Sequence, residues 1–146
     1  MLIHVLPHAK DLPLPSYATP GSAGMDIRAA VPHTTVLLPG ERTKIPTGLC
    51  FALDPSTVGY VHARSGRAFD EGLALPQGVA VLDADYRGEL LIPLINLDPF
   101  RAITIQRGDR IAQLVIVPFI TCTPTTVDAL PPSERGEGGF GSTGRR

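Results

Sequence analysis

Leu82-Asp83-Ala84-Asp85-Tyr86-Arg87-Gly88-Glu89 is the chemically densest stretch of the chain, because its turn residues 83–88 hold two carboxylates, a phenol and a guanidinium. It lies between two apolar runs, 79–82 and 90–95, and Asp and Gly are common turn residues. The pattern therefore predicts that the polar residues form the tip of a β-hairpin. Strand alternation would place Asp83 and Asp85 on one face, where a carboxylate can act as a general base or a metal ligand. An ordinary solvated turn is the alternative.

The composition favours one all-β domain. The chain has 146 residues, of which 15 are Gly and 15 are Pro, scattered throughout, so helices of normal length have little room. A formal net charge of −1 gives no sign of a nucleic-acid-binding or membrane-seeking surface. Two Cys, no secretory h-region after Met1 and no apolar run long enough to span a bilayer lead us to expect a cytoplasmic protein.

Apolar alternation predicts a series of short strands. They are expected over 2–6, 34–38, 43–53, 57–63, 101–105 and 110–117. Pro46 and Gly48 suit an edge or a bulge in the third of these. Asp26 alternates with Met25 and Ile27, so it either faces solvent or is buried for a purpose. Gln113 interrupts an apolar strand and is either a satisfied core amide or a ligand contact.

Two further segments are compatible with phosphate binding. Arg64-Ser65-Gly66 connects a strand to a short run that can form a helix, which would direct backbone N–H groups and an Arg at one spot, although the tripeptide is common. The Gly-rich stretch 134–146 has no core-forming pattern and should be mobile. It either folds over a nucleotide, with Phe140 on the base and Arg135, Ser142 and Thr143 on phosphates, or is a solubilising tail. The four His residues show no metal-ligand spacing.

Taken together, five segments resemble motifs of the trimeric all-β dUTP nucleotidohydrolases (dUTPases). They are Ala23-Gly24-Met25-Asp26-Ile27, Arg64-Ser65-Gly66, Asp83-Ala84-Asp85-Tyr86-Arg87-Gly88-Glu89, Arg107-Gly108-Asp109-Arg110-Ile111-Ala112-Gln113-Leu114 and Arg135-Gly136-Glu137-Gly138-Gly139-Phe140-Gly141-Ser142-Thr143-Gly144.

The resemblance implies a distorted jelly roll, a β-clip-like barrel of short strands. Residues 1–133 would form the single domain, and residues 134–146 would form a flexible C-terminal arm that closes over the active site. It also implies a homotrimer with active sites shared between subunits, and hydrolysis of dUTP to dUMP and pyrophosphate with Mg²⁺. This reaction removes dUTP from the nucleotide pool and supplies dUMP for thymidylate synthesis.

The resemblance also assigns roles. Asp83 would activate the water that attacks the α-phosphorus, and Asp26 would be a supporting carboxylate near the metal's water shell, with Mg²⁺ held by the triphosphate and water without a direct protein ligand. The phosphate-binding residues would be Arg64, Ser65, Gly66, Gln113, Arg135, Ser142 and Thr143. The base- and sugar-binding residues would be Gln77, Gly78, Val81, Tyr86 and Phe140, with Tyr86 leaving no space for a ribose 2′-hydroxyl.

The chain departs from the family pattern at several positions, and two other functions compete. Departures lie at Ala63, Arg67, 69–71, Gln77 and Ala80, and they bear on base contacts and subunit packing. A dCTP deaminase, or a bifunctional deaminase and diphosphatase, of the same fold would need a Glu three residues before Asn96, where Pro93 stands. A non-catalytic nucleotide-binding regulatory protein would not need a base such as Asp83.

Overall fold

The computed structural model describes residues 1–139, and in that part of the chain the architecture is almost entirely β. Residues 1–139 contain ten strands: β1 Leu2–Val5, β2 Gly24–Arg28, β3 Thr35–Leu37, β4 Arg42–Ala52, β5 Thr57–Ala63, β6 Leu73–Ala74, β7 Val79–Leu82, β8 Glu89–Asn96, β9 Ile103–Ile105 and β10 Arg110–Pro118. A 3₁₀ turn, Pro7–Ala9, and one α-helix, α1 Ser65–Glu71, complete the described elements. The predicted all-β fold of short strands is confirmed.

The strands form a jelly-roll-like arrangement of antiparallel sheets. One sheet has the order β1-β4-β8-β6, a second the order β2-β10-β5-β7, and β3 pairs with β9. Alternate residues point into a common core, as in β8, where Leu90, Ile92, Leu94 and Asn96 are buried. Burial of each aliphatic side chain contributes about 1.5–3 kcal/mol. The buried Asn96 amide is satisfied, since it donates to Leu37 O and Arg101 O.

The predicted β-hairpin around residues 83–88 is wrong. β7 pairs with β5, whereas β8 pairs with β4 and β6, so this stretch crosses from one sheet to the other. Leu82 at the end of β7 and Leu90 near the start of β8 are both buried in the core, but the two strands belong to different sheets. Arg87 anchors the crossing because its Nη1 donates to the carbonyls of Ala84 at 2.8 Å and Tyr86 at 3.0 Å.

The bulge predicted in the long strand is confirmed. The pairing of β4 with β8 shifts register between Pro46 and Cys50. Gly48 has φ +67° within this break, and its N–H donates to Glu89 Oε1 at 2.7 Å. β4 lies between β1 and β8 in the sheet: residues 49–52 pair with β1, while residues 42–46 and, beyond the break, Cys50 pair with β8. Among the described residues there is no helix with the length and apolarity that crossing a bilayer requires.

Candidate active site

A row of side chains crosses the outward face of the second sheet. Gln113 on β10 lies directly opposite Asp26 on β2 and His62 on β5, and His62 lies opposite Val79 on β7. Directly opposite residues in an antiparallel pair point to the same face. Their neighbours Ile27 and Val61 fill the core on the other face, each with no exposed surface. Gln113 is therefore an outward-facing amide and not a core amide.

Asp26 is the centre of a charged cluster. Its Oδ1 accepts from Arg64 Nε at 3.0 Å and from Gln113 Nε2 at 3.5 Å, and its Oδ2 accepts from Arg110 Nη1 at 3.0 Å. The Asp26 side chain is 13% exposed. Burial alone would raise the pKa of Asp26, but the hydrogen bond from Arg110, the charge of Arg64 and the hydrogen bond from Gln113 outweigh it, so this pKa is lowered. The carboxylate stays ionised and holds two guanidinium groups on the outward face.

Arg110 is a member of this cluster that the sequence analysis missed. Strict alternation places residues 110 and 113 on opposite faces of a strand. The pairing of β10 with β2 shifts register between Arg110 and Ala112, and this bulge turns Arg110 towards the same carboxylate as Gln113. The alternation of the sequence carries no signal for the bulge.

Ser65 and Gly66 lie beside the Asp26 cluster, where β5 ends and α1 begins. Arg64 has extended backbone torsions, φ −79° and ψ 126°, and is the N-cap residue of α1. Ser65 and Gly66 are exposed, and a β-carbon added at Gly66 would meet nothing within 4 Å. The space in front of Arg64, Ser65 and Gly66 is therefore open to a ligand.

A second group of predicted residues surrounds a cleft of about 320 Å³. Gln77, Asp83 and Tyr86 line it. Tyr86 Oη donates to Glu89 O at 3.2 Å, which orients the phenol at the cleft. Gly78 has φ +77° and forms the turn before β7.

Asp83 also borders a larger and mostly apolar cleft of about 560 Å³. Val81 and Phe119 line this cleft, and they are 61% and 45% exposed. An apolar cleft of this size beside an exposed carboxylate is unusual on a free surface and is typical of a ligand or subunit contact.

A single chain does not bring the two groups of predicted residues together. β2 and β7 are separated by three strand spacings, which is about 14 Å, and Asp83 lies a further four residues, about 13 Å, along β7 from the row that contains Asp26. The Cα atoms of Asp26 and Asp83 are therefore roughly 19 Å apart along the sheet.

The remaining predicted residues belong to the C-terminal arm. Phe140, Ser142 and Thr143 lie outside the described residues. Arg135 lies within them, and its Nε donates to Gly138 O at 2.7 Å in the same segment.

The described residues suit a metal that is bound chiefly by a ligand's own oxygen atoms. Within residues 1–139, no group of three or more His, Cys, Asp or Glu lies close enough to hold a metal ion. The lone pairs of Asp26 already accept hydrogen bonds from two Arg and one Gln. Mg²⁺ keeps several waters and commonly binds through substrate phosphates, which this arrangement permits.

The fold and the sites define an all-β protein with two parts open to a ligand: a cluster of Arg and Gln donors, of the kind that binds phosphates, and a cleft lined by Asp83 and Tyr86. Comparison with known proteins makes this class specific. The family model described as dUTPase matches residues 10–144. The chain belongs to the dUTPase family.

Individual relatives agree with this membership. The deoxyuridine 5'-triphosphate nucleotidohydrolase of Thermobifida fusca is 48% identical over 134 residues, which are 92% of this chain and 74% of the relative. A structure of the Staphylococcus bacteriophage 80alpha dUTPase with dUPNHPP superposes with a TM-score of 0.85 at 31% identity, covering 98% of this chain and 97% of that one. A structure of a mutant dUTPase from phage phi11 of S. aureus, described as showing the coordination of a structural Mg(II) ion, has a TM-score of 0.77 at 25% identity and covers 88% and 96% of the two chains.

Proposed function

We propose that the protein hydrolyses dUTP to dUMP and pyrophosphate. Family membership and relatives named for this activity support the proposal. The structural observation that carries it is the position of Asp83, an exposed carboxylate at the end of β7 beside the cleft lined by Gln77 and Tyr86. A base at this position has open space in which to orient a water molecule against a bound substrate.

The proposed reaction is an in-line displacement at the α-phosphorus. Asp83 accepts a proton as the water oxygen forms its bond to the α-phosphorus, and the bond from that phosphorus to the bridging oxygen breaks. Pyrophosphate leaves with the bonding electron pair. Arg64 and Gln113 stabilise the charge on the phosphate oxygens through charge-assisted and neutral hydrogen bonds, and Ser65 and Gly66 contribute donors beside them. Water-derived oxygen therefore ends in dUMP.

The active site is proposed to be shared between subunits of a homotrimer. The separation of roughly 19 Å between Asp26 and Asp83 on one chain supports this, because one nucleotide would then bind the Asp26 cluster of one subunit and the Asp83 cleft of its neighbour. The exposed apolar side chains of Val81 and Phe119 beside Asp83 supply surface for such a contact.

The deoxyuridine is proposed to bind in the cleft of Gln77 and Tyr86. Backbone groups between Gly78 and Asp83, Val81 included, would pair with the uracil edge. The sugar would stack on Tyr86, whose hydroxyl is already engaged by Glu89 O. A ribose 2′-hydroxyl would then clash with the ring, which favours dUTP over UTP.

Mg²⁺ is the proposed metal, and a relative's structure contains a structural Mg(II) ion. When bound, it would neutralise charge on the triphosphate. We expect it to be held by phosphate oxygens and water. Asp26 would support that water shell while its own oxygens hold Arg64 and Arg110 in place.

We further propose that residues 134–146 act as an arm over residues 1–133. Phe140 would cover the base, and Arg135, Ser142 and Thr143 would contact phosphates. The role of such an arm is to exclude water other than the attacking molecule. The expected setting of the reaction is the cytoplasm, without nucleic-acid or membrane partners.

The decisive assay measures pyrophosphate release from dUTP, dCTP, dTTP and UTP with Mg²⁺. We expect turnover of dUTP alone by the wild type and a loss of at least about 100-fold in Asp83→Asn. Asp85→Asn is the matched control, since Asp85 is an exposed carboxylate in the same crossing. In H₂¹⁸O, the label should appear in dUMP. Ammonia release from dCTP would instead indicate a deaminase, and dUTP binding without turnover a regulatory protein.

A further inference from the structure

Arg67 departs from the family pattern, and its side chain has a defined position. It is 14% exposed, and its guanidinium binds Glu71 through Nε–Oε1 at 3.0 Å and Nη2–Oε2 at 2.7 Å. Nη2 also donates to the carbonyl of Thr104 on β9 at 3.1 Å, and Nη1 lies 3.5 Å from Asp109 Oδ2. Every nitrogen of the guanidinium therefore has a partner, on three different segments.

Helix α1 depends on such contacts because it has no buried residue. A seven-residue helix is marginal in water without packing of an apolar face. Its C-terminal end is fixed at Gly72, which has φ +75° and lies so close to the 97–98 backbone that a β-carbon would be 2.7 Å from Asp98 N. Arg67 lies in the first turn and bridges that end of the helix to β9 and to the turn before β10.

Asp109, one of the partners of Arg67, lies in the turn that leads into β10, the strand that carries Arg110 and Gln113. Asp109 Oδ2 accepts from Gln106 N at 2.9 Å and so closes the turn over residues 106–109. The next residue is Arg110, whose Nη1 binds Asp26. Arg67 thus links the segment of Arg64, Ser65 and Gly66 to the strand that presents Arg110 and Gln113.

We propose that Arg67 is a positioning residue that sets the distance between residues 64–66 and the start of β10, and through it the affinity for the triphosphate. This inference rests on the proposed function. Lys can replace Arg only in part, because an ammonium group has no planar fork with which to hold Glu71, Thr104 O and Asp109 together.

The test compares binding of dUpNHpp, the imidophosphate analogue of dUTP, with binding of deoxyuridine by calorimetry. The variants are Arg67→Met, Arg67→Lys and the control Arg101→Met. Arg101 also contacts α1, since its Nη2 donates to Asp70 O at 3.3 Å, but its side chain is 72% exposed and lies at the opposite end of the helix.

We expect the Kd for dUpNHpp to rise about tenfold in Arg67→Met and less in Arg67→Lys, because misplaced donors lose phosphate contacts. The Kd for deoxyuridine should change by less than about twofold in both Arg67 variants. In Arg101→Met, the Kd for dUpNHpp and the Kd for deoxyuridine should each change by less than about twofold. Three results would overturn this inference and leave the proposed function standing. They are a small rise of the Kd for dUpNHpp in a folded Arg67→Met, an equal rise of its Kd for deoxyuridine, and an equal rise of the Kd for dUpNHpp in Arg101→Met. If Arg67→Met does not fold, Arg67→Lys decides: its Kd for dUpNHpp must rise more than its Kd for deoxyuridine, and equal changes in the two would overturn the inference. A wild type that fails to bind dUpNHpp would overturn both this inference and the proposed function.

Discussion

Gly88 and Tyr86 are in such close contact that a β-carbon at position 88 would lie 2.4 Å from Tyr86 Oη and 2.6 Å from its Cζ. The phenol ring of Tyr86 thus packs directly against Gly88. Replacing it with even the smallest side chain must move the ring away from its place at the cleft.

The first prediction concerns the selectivity for deoxyribose over ribose. Gly88→Ala should raise the ratio of kcat/KM for UTP to that for dUTP by about tenfold, because a displaced Tyr86 leaves space for a 2′-hydroxyl. Steady-state kinetics with both nucleotides measures it. Gly21→Ala is the control, since a β-carbon there meets nothing within 4 Å. An unchanged ratio in Gly88→Ala would show that the ring does not select the sugar.

The second prediction concerns the bulge of β4. A β-carbon at Gly48 would lie 2.1 Å from the β-carbon of Ala9, in addition to the strain of φ +67°. Gly48→Ala should lower the free energy of unfolding by about 3 kcal/mol. Gly40 has φ +77° with nothing within 4 Å, so Gly40→Ala should cost only about 1 kcal/mol for the backbone. Urea unfolding of the two variants separates the steric part from the backbone part, and equal losses would refute the steric account.

The third prediction is a dependence of stability on pH through Asp98. Backbone N–H of Phe100, and then the side chain and backbone N–H of Arg101, hydrogen-bond the carboxylate and lower the pKa of Asp98 from 3.8 to about 2. Since the folded pKa lies below the unfolded value, the stabilisation is complete above about 3.8 and is lost as the pH falls towards about 2. Asp98→Asn should therefore be less stable than the wild type near neutral pH, with the gap closing in acid. Thermal unfolding across this range measures the gap, and a gap that stays constant would contradict the assignment.

The fourth prediction concerns the charge at the centre of the arginine cluster. Asp26→Asn keeps the size of the side chain but removes the charge that holds Arg64 and Arg110. We expect kcat/KM for dUTP to fall by about 10- to 100-fold, because both guanidinium groups lose their orientation. Asp70→Asn, at an exposed position of α1, should change kcat/KM by less than about twofold. Full activity of Asp26→Asn would remove this carboxylate from the site.

Local patterns in the sequence predicted where the strands lie better than they predicted which strands pair. Alternation located the strand from Thr57 to Ala63 at its observed bounds, and Pro46 with Gly48 indicated the bulge in β4. These features depend on backbone torsions and side-chain facing, which nearby residues determine.

Pairing between distant segments was not predictable in the same way. Two apolar runs separated by a short polar turn normally form a hairpin, yet β7 pairs with β5, because the crossing lets Leu82 and Leu90 fill one core from two sheets. The role of Arg110 depends on a bulge that leaves no mark in the alternation. The resemblance to dUTPases identified Asp26, Arg64 and Gln113 individually, and only the structure shows that they touch.

In the proposed trimer, each active site takes Asp83 from one subunit and the Asp26 cluster from another. The most direct test mixes two inactive variants, Asp83→Asn and Arg64→Ala, by joint refolding and measures dUTP hydrolysis. If subunits share sites, about one quarter of the sites in randomly mixed trimers combine an intact Asp83 with an intact Arg64, so about one quarter of wild-type activity should return. If each chain builds its own site, every site keeps one lesion. A refolded mixture no more active than the separate variants would contradict the account.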